Sequence, residues 1–302
     1  MNNNPKLLLG KIVSEKIRNN LAVDINKLNN LNIIPKLAAI LVGDDPASKI
    51  YVNTKHKTFL KMNCLSDVYN LPCSTKESDL LTLINKLNSS DDVHGILVQF
   101  PLPKHLNSNK IISFINPDKD VDGLHPVNLG NLFQGKPNFI PCTPFGCIHI
   151  LKHYNIEVKS KNVVIIGRSN LVGKPLHALL SQKFDVGNAT VTLCHSSTPN
   201  IDFYTKNADI IIVATGRPKL LTHNMIKKDC VIIDVGINRV DDDSPKGYQI
   251  VGDVDFNNIL PIAKYITPVP GGVGPMTITM LLYNTVRSAK KASGIFKDIS
   301  YN

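Results

Sequence analysis

Lys161-Asn-Val-Val-Ile-Ile-Gly-Arg-Ser-Asn-Leu-Val-Gly-Lys-Pro175 reads as a buried strand, a turn bounded by Gly167 and Gly173, and the start of a helix. That arrangement sets a phosphate against backbone N–H groups and the positive end of a helix. It lacks the full Gly-x-Gly-x-x-Gly fingerprint, so on its own it is equally a plain strand-to-helix turn. The rhythm downstream raises it above that. Thr190–Cys194, Asp209–Ala214 and Val231–Val235 are further Val/Ile-rich strands, and helical patterns such as Val172–Lys183 and Asp255–Ile262 alternate with them. Upstream, the strands Lys36–Val42 and Gly95–Gln99 alternate with helical stretches at Pro46–Met62 and Glu77–Asn88. Continuous apolar strands separated by helices indicate parallel sheets covered on both faces, hence an α/β fold.

A break falls between Asn116 and Gly146, where Pro117, Pro126, Pro137, Pro141 and Pro144 interrupt the periodicity and suggest a connector lined with functional loop. With 302 residues, two domains are expected. The run Tyr265-Ile-Thr-Pro-Val-Pro-Gly-Gly-Val-Gly-Pro-Met-Thr277 closes the second. Pro268 and Pro270 stiffen an extended approach, Gly271 and Gly272 permit dihedrals closed to other residues, and a last helix starts at about Pro275. That helix has no strand after it and is expected to return to the first domain. This gives residues 1–145 with 275–302 as one domain and 146–274 as the other, with the glycine loop at their junction.

The ends of the strands carry the cofactor reading. An Asp or Glu at the end of the second strand would mark a bare ribose diol. Here the chain reads Cys194-His195-Ser196-Ser197-Thr198, with no carboxylate before Asp202. Hydroxyls there, together with Arg168 in the turn, suit a ribose phosphate, so NADP is favoured over NAD; His195 is equally a capping residue of a solvated loop. Glycines again follow the third strand, at Thr215-Gly216, and the fourth, at Asp234-Val-Gly-Ile237. Asp234 itself reads as a buried carboxylate satisfied by backbone donors.

In the first half, Asp45-Pro46 opens a helix on which Tyr51 and Lys55 share a face. A helical Tyr/Lys pair is, taken alone, most often a surface pair. The Tyr-x-x-x-Lys of short-chain dehydrogenases follows the nucleotide-binding turn, whereas this one precedes it. His94-Gly-Ile-Leu-Val-Gln-Phe-Pro-Leu-Pro103 sends a buried strand into Gln99 and a proline turn, and Asp120 and Asp122 lie in an acidic loop. Asp-x-Asp-Gly weakly suggests calcium, but the other loop ligands are missing, and no metal is expected.

The net charge of +10 invites a nucleic-acid partner, but the lysines are spread along the chain, Trp is absent, and no basic run is interleaved with aromatics. The diffuse positive field suits an anionic small molecule or a plain solvated surface. No apolar run reaches membrane-spanning length, and the six scattered cysteines read as reduced cytosolic thiols.

Six motifs, in order, resemble the bifunctional methylenetetrahydrofolate dehydrogenase/cyclohydrolase family: Tyr51-Val-Asn-Thr-Lys55, Val98-Gln-Phe-Pro-Leu-Pro103, Lys119-Asp-Val-Asp-Gly123, Pro141-Cys-Thr-Pro144, Gly167-Arg-Ser-Asn-Leu-Val-Gly173 and Pro270-Gly-Gly-Val-Gly-Pro275. They cover residues 8 to 290; Phe100 stands where Leu is usual, a difference expected to touch only pocket shape. The resemblance implies a folate-binding catalytic domain and a Rossmann-like NADP domain. It implies NADP-dependent oxidation of 5,10-methylenetetrahydrofolate and hydrolysis of the methenyl product to 10-formyltetrahydrofolate. It makes Lys55 the acid/base of hydrolysis, with Gln99 orienting it. Tyr51 and Asp122 would contact the substrate, and Val98, Pro101, Pro270, Gly271 and Gly272 would line its site. The cofactor would meet Gly167, Arg168, Ser169, Val172, Gly173, His195, Ser196, Thr215, Gly216 and Ile237. A cytoplasmic homodimer acting on tetrahydrofolate derivatives, with or without a polyglutamate tail, completes the expectation. The alternative is another two-domain NADP-dependent dehydrogenase, of the shikimate type.

Overall fold

Strands whose residues are apolar on both faces occupy the centre of each sheet, and helices with one apolar stripe cover them. In the computed structural model, which describes residues 6–243 and 247–295, these elements form two compact units. One comprises Lys16–Cys142 and the chain beyond Ile278; the other comprises Thr143–Thr277 and the chain up to Glu15.

In the first unit the order is α1 (Gly10–Asn29), β1 (Lys36–Val42), α2 (Pro46–Lys61), β2 (Leu65–Leu71), α3 (Glu77–Asn88), β3 (Gly95–Val98), α4 (Ser108–Phe114) and α5 (Pro126–Phe133). The strands form a parallel sheet ordered β2-β1-β3. Ala38, Ile40 and Val42 of β1 and Ile96 and Val98 of β3 pack on Leu80, Ile84 and Leu87, the i, i+4, i+7 stripe of α3. The segment expected as an irregular connector contains α5, because Pro126 falls at its first turn, where a missing N–H costs nothing; the His125 side chain caps it by accepting from Val127 N–H at 3.1 Å.

The second unit continues with α6 (Cys142–His153), β4 (Asn162–Ile166), α7 (Gly173–Ser181), β5 (Thr190–Cys194), α8 (Ile201–Thr205), β6 (Ile210–Val213), β7 (Val231–Asp234), β8 (Asn238–Asp241), β9 (Tyr248–Val251), α9 (Phe256–Ile259) and β10 (Tyr265–Ile266), and the last helix, α10 (Val273–Ala292), belongs to the first unit from Ile278 onward. Its parallel sheet is ordered β10-β7-β6-β4-β5, with β8 and β9 as a separate antiparallel hairpin. The chain runs from β4 outward to β5 and then crosses back to β6, so the strand order reverses beside β4. Ligands of open α/β sheets bind in the crevice at such a point. The chain up to Glu15 groups here because Leu8 N–H donates to Ile266 O at 2.9 Å and Leu9 N–H to the Tyr154 hydroxyl at 2.9 Å.

The C-terminal helix returns to the first unit, as expected. Asn284 Nδ2 donates to Val121 O at 2.8 Å and Ile140 O at 3.0 Å, Ser288 Oγ donates to Asp118 O at 2.9 Å, and Lys291 pairs with Asp118 at 2.6 Å. The helix thereby braces both ends of the proline-rich segment. No helix among the described residues is long and apolar enough to cross a membrane.

Candidate active site and nucleotide turn

Asp45 caps α2 by accepting from Ser48 N–H at 2.8 Å, and Val52 and Phe59 bury one side of the helix. The same anchoring holds Lys55 in the interior at 7 % exposure, with Nζ donating to Gln99 Oε1 at 2.9 Å. Gln99 continues β3: its N–H donates to Ile40 O at 2.9 Å, and its Nε2 donates to Phe100 O at 2.7 Å. With Nε2 so engaged, the amide can present only its oxygen to the lysine. Burial depresses the Lys55 pKa, opposed by the negative field of Asp122. Burial also raises the Tyr51 phenol, one turn before Lys55.

The acidic loop separates into two roles that its sequence does not distinguish. Asp120 is 1 % exposed and accepts from His125 N–H at 2.7 Å and from Asn128 Nδ2 at 2.8 Å, so it braces the loop. Asp122 is half-exposed and acts electrostatically on Lys55 and Cys142. Val98 is buried, whereas Pro101 is exposed beyond Gln99. The structure thus gathers Lys55, Val98, Gln99, Pro101, Tyr51 and Asp122 on α2, on the end of β3 and on the loop before α5. Cys142, which the sequence reading left without a role, joins them: its thiol donates to Val121 O at 3.4 Å, and burial pushes its pKa well above the usual range.

Burial raises the Asp120 carboxyl to about 7. Its proton is therefore held more tightly in the folded chain than in the unfolded one. Its contribution to stability is complete below the unfolded value near 3.8 and fades as pH rises through about 7. Urea unfolding at pH 4 to 8 is expected to show this falling contribution in the wild type and not in Asp120→Asn. Equal pH slopes in the two proteins would contradict it.

In the second unit, Gly167 takes φ +125°, and a Cβ there would lie 2.2 Å from Ala214 O, so the turn after β4 is pressed against the end of β6. A Cβ on Gly173 would lie 1.8 Å from Gly167 O; only glycine lets the first residue of α7 close on the turn. Ser169 fastens the loop, its Oγ accepting from Val172 N–H at 3.1 Å and its carbonyl accepting from Lys174 N–H at 3.1 Å. Arg168 and Ser169 stand exposed. This tight, bare backbone at a helix start fits the pyrophosphate of a dinucleotide. At the end of β5, His195 Nδ1 accepts from Ser197 N–H at 3.2 Å and Thr198 Oγ1 accepts from His195 N–H at 2.9 Å; His195 is thus a cap, with Ser196 exposed beside it.

After β6, Gly216 has φ +66° with open space beside it, and Thr215 is held by Asp253, a residue the sequence reading did not single out. Its one signal is Gly252-Asp253, a small residue and a carboxylate following a strand. Asp234 is buried and accepts from Gly236, Asp253 and Val254 N–H at 2.9, 3.0 and 3.0 Å, the structural role read for it. Ile237 is 44 % exposed. Pro270 is exposed; Gly271 O accepts from Lys11 N–H at 3.2 Å, and a Cβ on Gly10 would lie 1.9 Å from Gly272 O, which fixes that loop within its unit. Among the described residues no group of three or more His, Cys, Asp or Glu side chains is placed to hold a metal ion.

A switch-point sheet with a glycine turn is the arrangement of a dinucleotide-binding protein. The buried lysine held by Gln99 adds a proton-transfer group, so the class is a dinucleotide-binding enzyme with an acid/base site. Comparison with known proteins specifies it. The model for the tetrahydrofolate dehydrogenase/cyclohydrolase catalytic domain matches residues 8–122, and that for the family's NAD(P)-binding domain matches residues 141–293. The bifunctional protein FolD of Chlorobium chlorochromatii is 50% identical over 290 residues, covering 95% of this chain and 98% of that one. The FolD crystal structure from Campylobacter jejuni is 48% identical with TM-score 0.89, covering 94% of this chain and 98% of that one. The Trypanosoma brucei enzyme, complexed with NADP and an inhibitor, is 35% identical with TM-score 0.90, covering 95% and 98%. This chain belongs to the tetrahydrofolate dehydrogenase/cyclohydrolase family, which displaces the shikimate-type alternative.

Proposed function

We propose that this chain oxidises 5,10-methylenetetrahydrofolate with NADP⁺ and hydrolyses the methenyl product to 10-formyltetrahydrofolate, with Lys55 as acid and base of the hydrolysis. The observation that carries the second activity is the buried Lys55–Gln99 hydrogen bond at 2.9 Å. A solvated lysine is protonated at neutral pH and cannot act as a base; burial favours the neutral amine, and Gln99 orients it without a charge that would reverse the effect. The amine takes a proton from the water that adds to the one-carbon bridge. The ammonium so formed returns a proton to ring N5 as its bond to that carbon breaks. One proton is released overall, since the methenyl substrate is a cation and the formyl product is not.

NADP⁺ when bound supplies the hydride acceptor; the chain supplies position. Asp122 holds the pterin through its amino and ring N–H groups, Tyr51 stacks on or hydrogen-bonds to it, and Val98, Pro101, Pro270, Gly271 and Gly272 line the folate site. Gly167, Ser169, Val172 and Gly173 hold the pyrophosphate. Arg168 and Ser196, with His195, meet the ribose phosphate, and Thr215, Gly216 and Ile237 meet the remainder. The functional division follows the sequence, residues 1–145 with 275–302 for folate and 146–274 for NADP, although the chain up to Glu15 groups by contact with the second. A cytoplasmic homodimer belongs to the same reading, supported for compartment by the free, mostly buried cysteines. A polyglutamate tail on the folate would suit the +10 net charge. The test is reduction of NADP⁺ by the purified chain, dependent on 5,10-methylenetetrahydrofolate and faster than that of NAD⁺. Folded protein that reduces neither would overturn the proposal.

A further inference from the structure

Asp253 is fully buried, and no cation pairs with it among the described residues; it is satisfied by hydrogen bonds alone. Its Oδ2 accepts from Thr215 N–H at 2.6 Å, from the Thr215 hydroxyl at 2.9 Å and from Gly216 N–H at 2.9 Å. Its Oδ1 accepts from Asn238 Nδ2 at 2.8 Å. Asp234 holds it from behind, accepting its backbone N–H at 3.0 Å. Two glycines make room for this arrangement: a Cβ on Gly236 would lie 2.2 Å from Asp253 Oδ1, and one on Gly252 would lie 1.8 Å from Asp234 Oδ2. Three donors on one oxygen fix the turn just beyond the end of β6 at Val213.

The turn so fixed is the one that packs on Gly167 at the switch point. We propose that Asp253 is a positioning residue of the cofactor site, setting the Thr215–Gly216 turn against the glycine turn so that its backbone faces the bound dinucleotide. The inference rests on the NADP-dependent reading above and extends it. It also assigns Thr215 a backbone role: its hydroxyl proton goes to Asp253, and Arg217 N–H occupies a lone pair at 3.3 Å, leaving no side-chain donor for a ligand.

The replacement Asp253→Asn keeps size and removes acceptor capacity. Whichever way the amide faces, either the Thr215–Gly216 donors or Asn238 Nδ2 meet an NH₂ group, which accepts nothing. Calorimetric titration with NADP⁺ is expected to show Kd raised about tenfold or more. Hydrolysis of methenyltetrahydrofolate, which needs no hydride, is expected to stay within about twofold of wild type. Asn238→Ala, which removes one support of the carboxylate, is expected to shift Kd in the same direction by less. A lower urea midpoint with unchanged Kd in folded Asp253→Asn would mean a structural brace only and would overturn the inference. If that variant does not fold, an unchanged Kd in Asn238→Ala overturns it instead. A wild-type chain that binds no NADP⁺ would overturn the functional reading and the inference together.

Discussion

Replacing Lys55 by Met is expected to lower the hydrolysis of methenyltetrahydrofolate by about a thousandfold while hydride transfer stays within roughly threefold, a difference of about 4 kcal/mol between the two steps. Methionine has nearly the length of the lysine stem and no charge, so the buried position on α2 remains filled and the fold is retained. What is lost is the buried amine that cycles the proton. The lowered pKa also fixes the sign of the pH dependence. Because burial favours the neutral amine, the wild-type hydrolysis rate should climb with pH as Lys55 deprotonates and then level, and this limb should be missing in the variant. Equal loss of both activities in folded Lys55→Met would end the assignment of hydrolysis to Lys55 alone.

The second large effect is expected at Gly173. The Cβ of alanine would lie 1.8 Å from Gly167 O, 2.6 Å from Gly167 C and 3.1 Å from Arg168 Cα, all backbone atoms that no rotamer change can move. Relief requires α7 to withdraw from the turn, which destroys the phosphate cradle. Gly173→Ala should therefore lose NADP⁺ affinity by about a hundredfold or more and cost about 3 kcal/mol of stability in urea unfolding. Gly216→Ala is the informative contrast, because at φ +66° with nothing near its Cβ it meets only the left-handed backbone penalty of about 1 kcal/mol. Calorimetry with NADP⁺ on both variants distinguishes a steric cradle from mere conformational preference. Wild-type affinity in Gly173→Ala would show that the turn does not hold the cofactor.

Much of the framework is legible in short runs of β-branched and apolar residues: Lys36–Val42, Asn162–Ile166 and Thr190–Cys194 coincide with β1, β4 and β5 from end to end. The edge strand β2, Leu65-Ser-Asp-Val-Tyr-Asn-Leu71, escapes such reading because only β1 pairs with it and Ser66, Asp67 and Asn70 interrupt its apolar residues. The glycine turn was visible as spacing. The Lys55–Gln99 contact was not, since it joins a helix to a strand end 44 residues away and reached the sequence reading only through family resemblance. Asp120 and Asp122 look alike in sequence, and burial alone separates brace from candidate ligand. Asp253 was invisible because its partners Thr215, Gly216 and Asn238 come from other loops that only the folded sheet brings to it.

The central claim is that one chain carries both reactions in sequence. It is tested most directly by incubating the purified protein with 5,10-methylenetetrahydrofolate and NADP⁺ and quantifying NADPH and 10-formyltetrahydrofolate over time. Formyl product should appear in step with NADPH, far faster than the buffer hydrolyses the methenyl intermediate. NADPH accompanied by methenyltetrahydrofolate that decays only at the buffer rate would contradict the account, leaving a dehydrogenase whose buried lysine performs no hydrolysis.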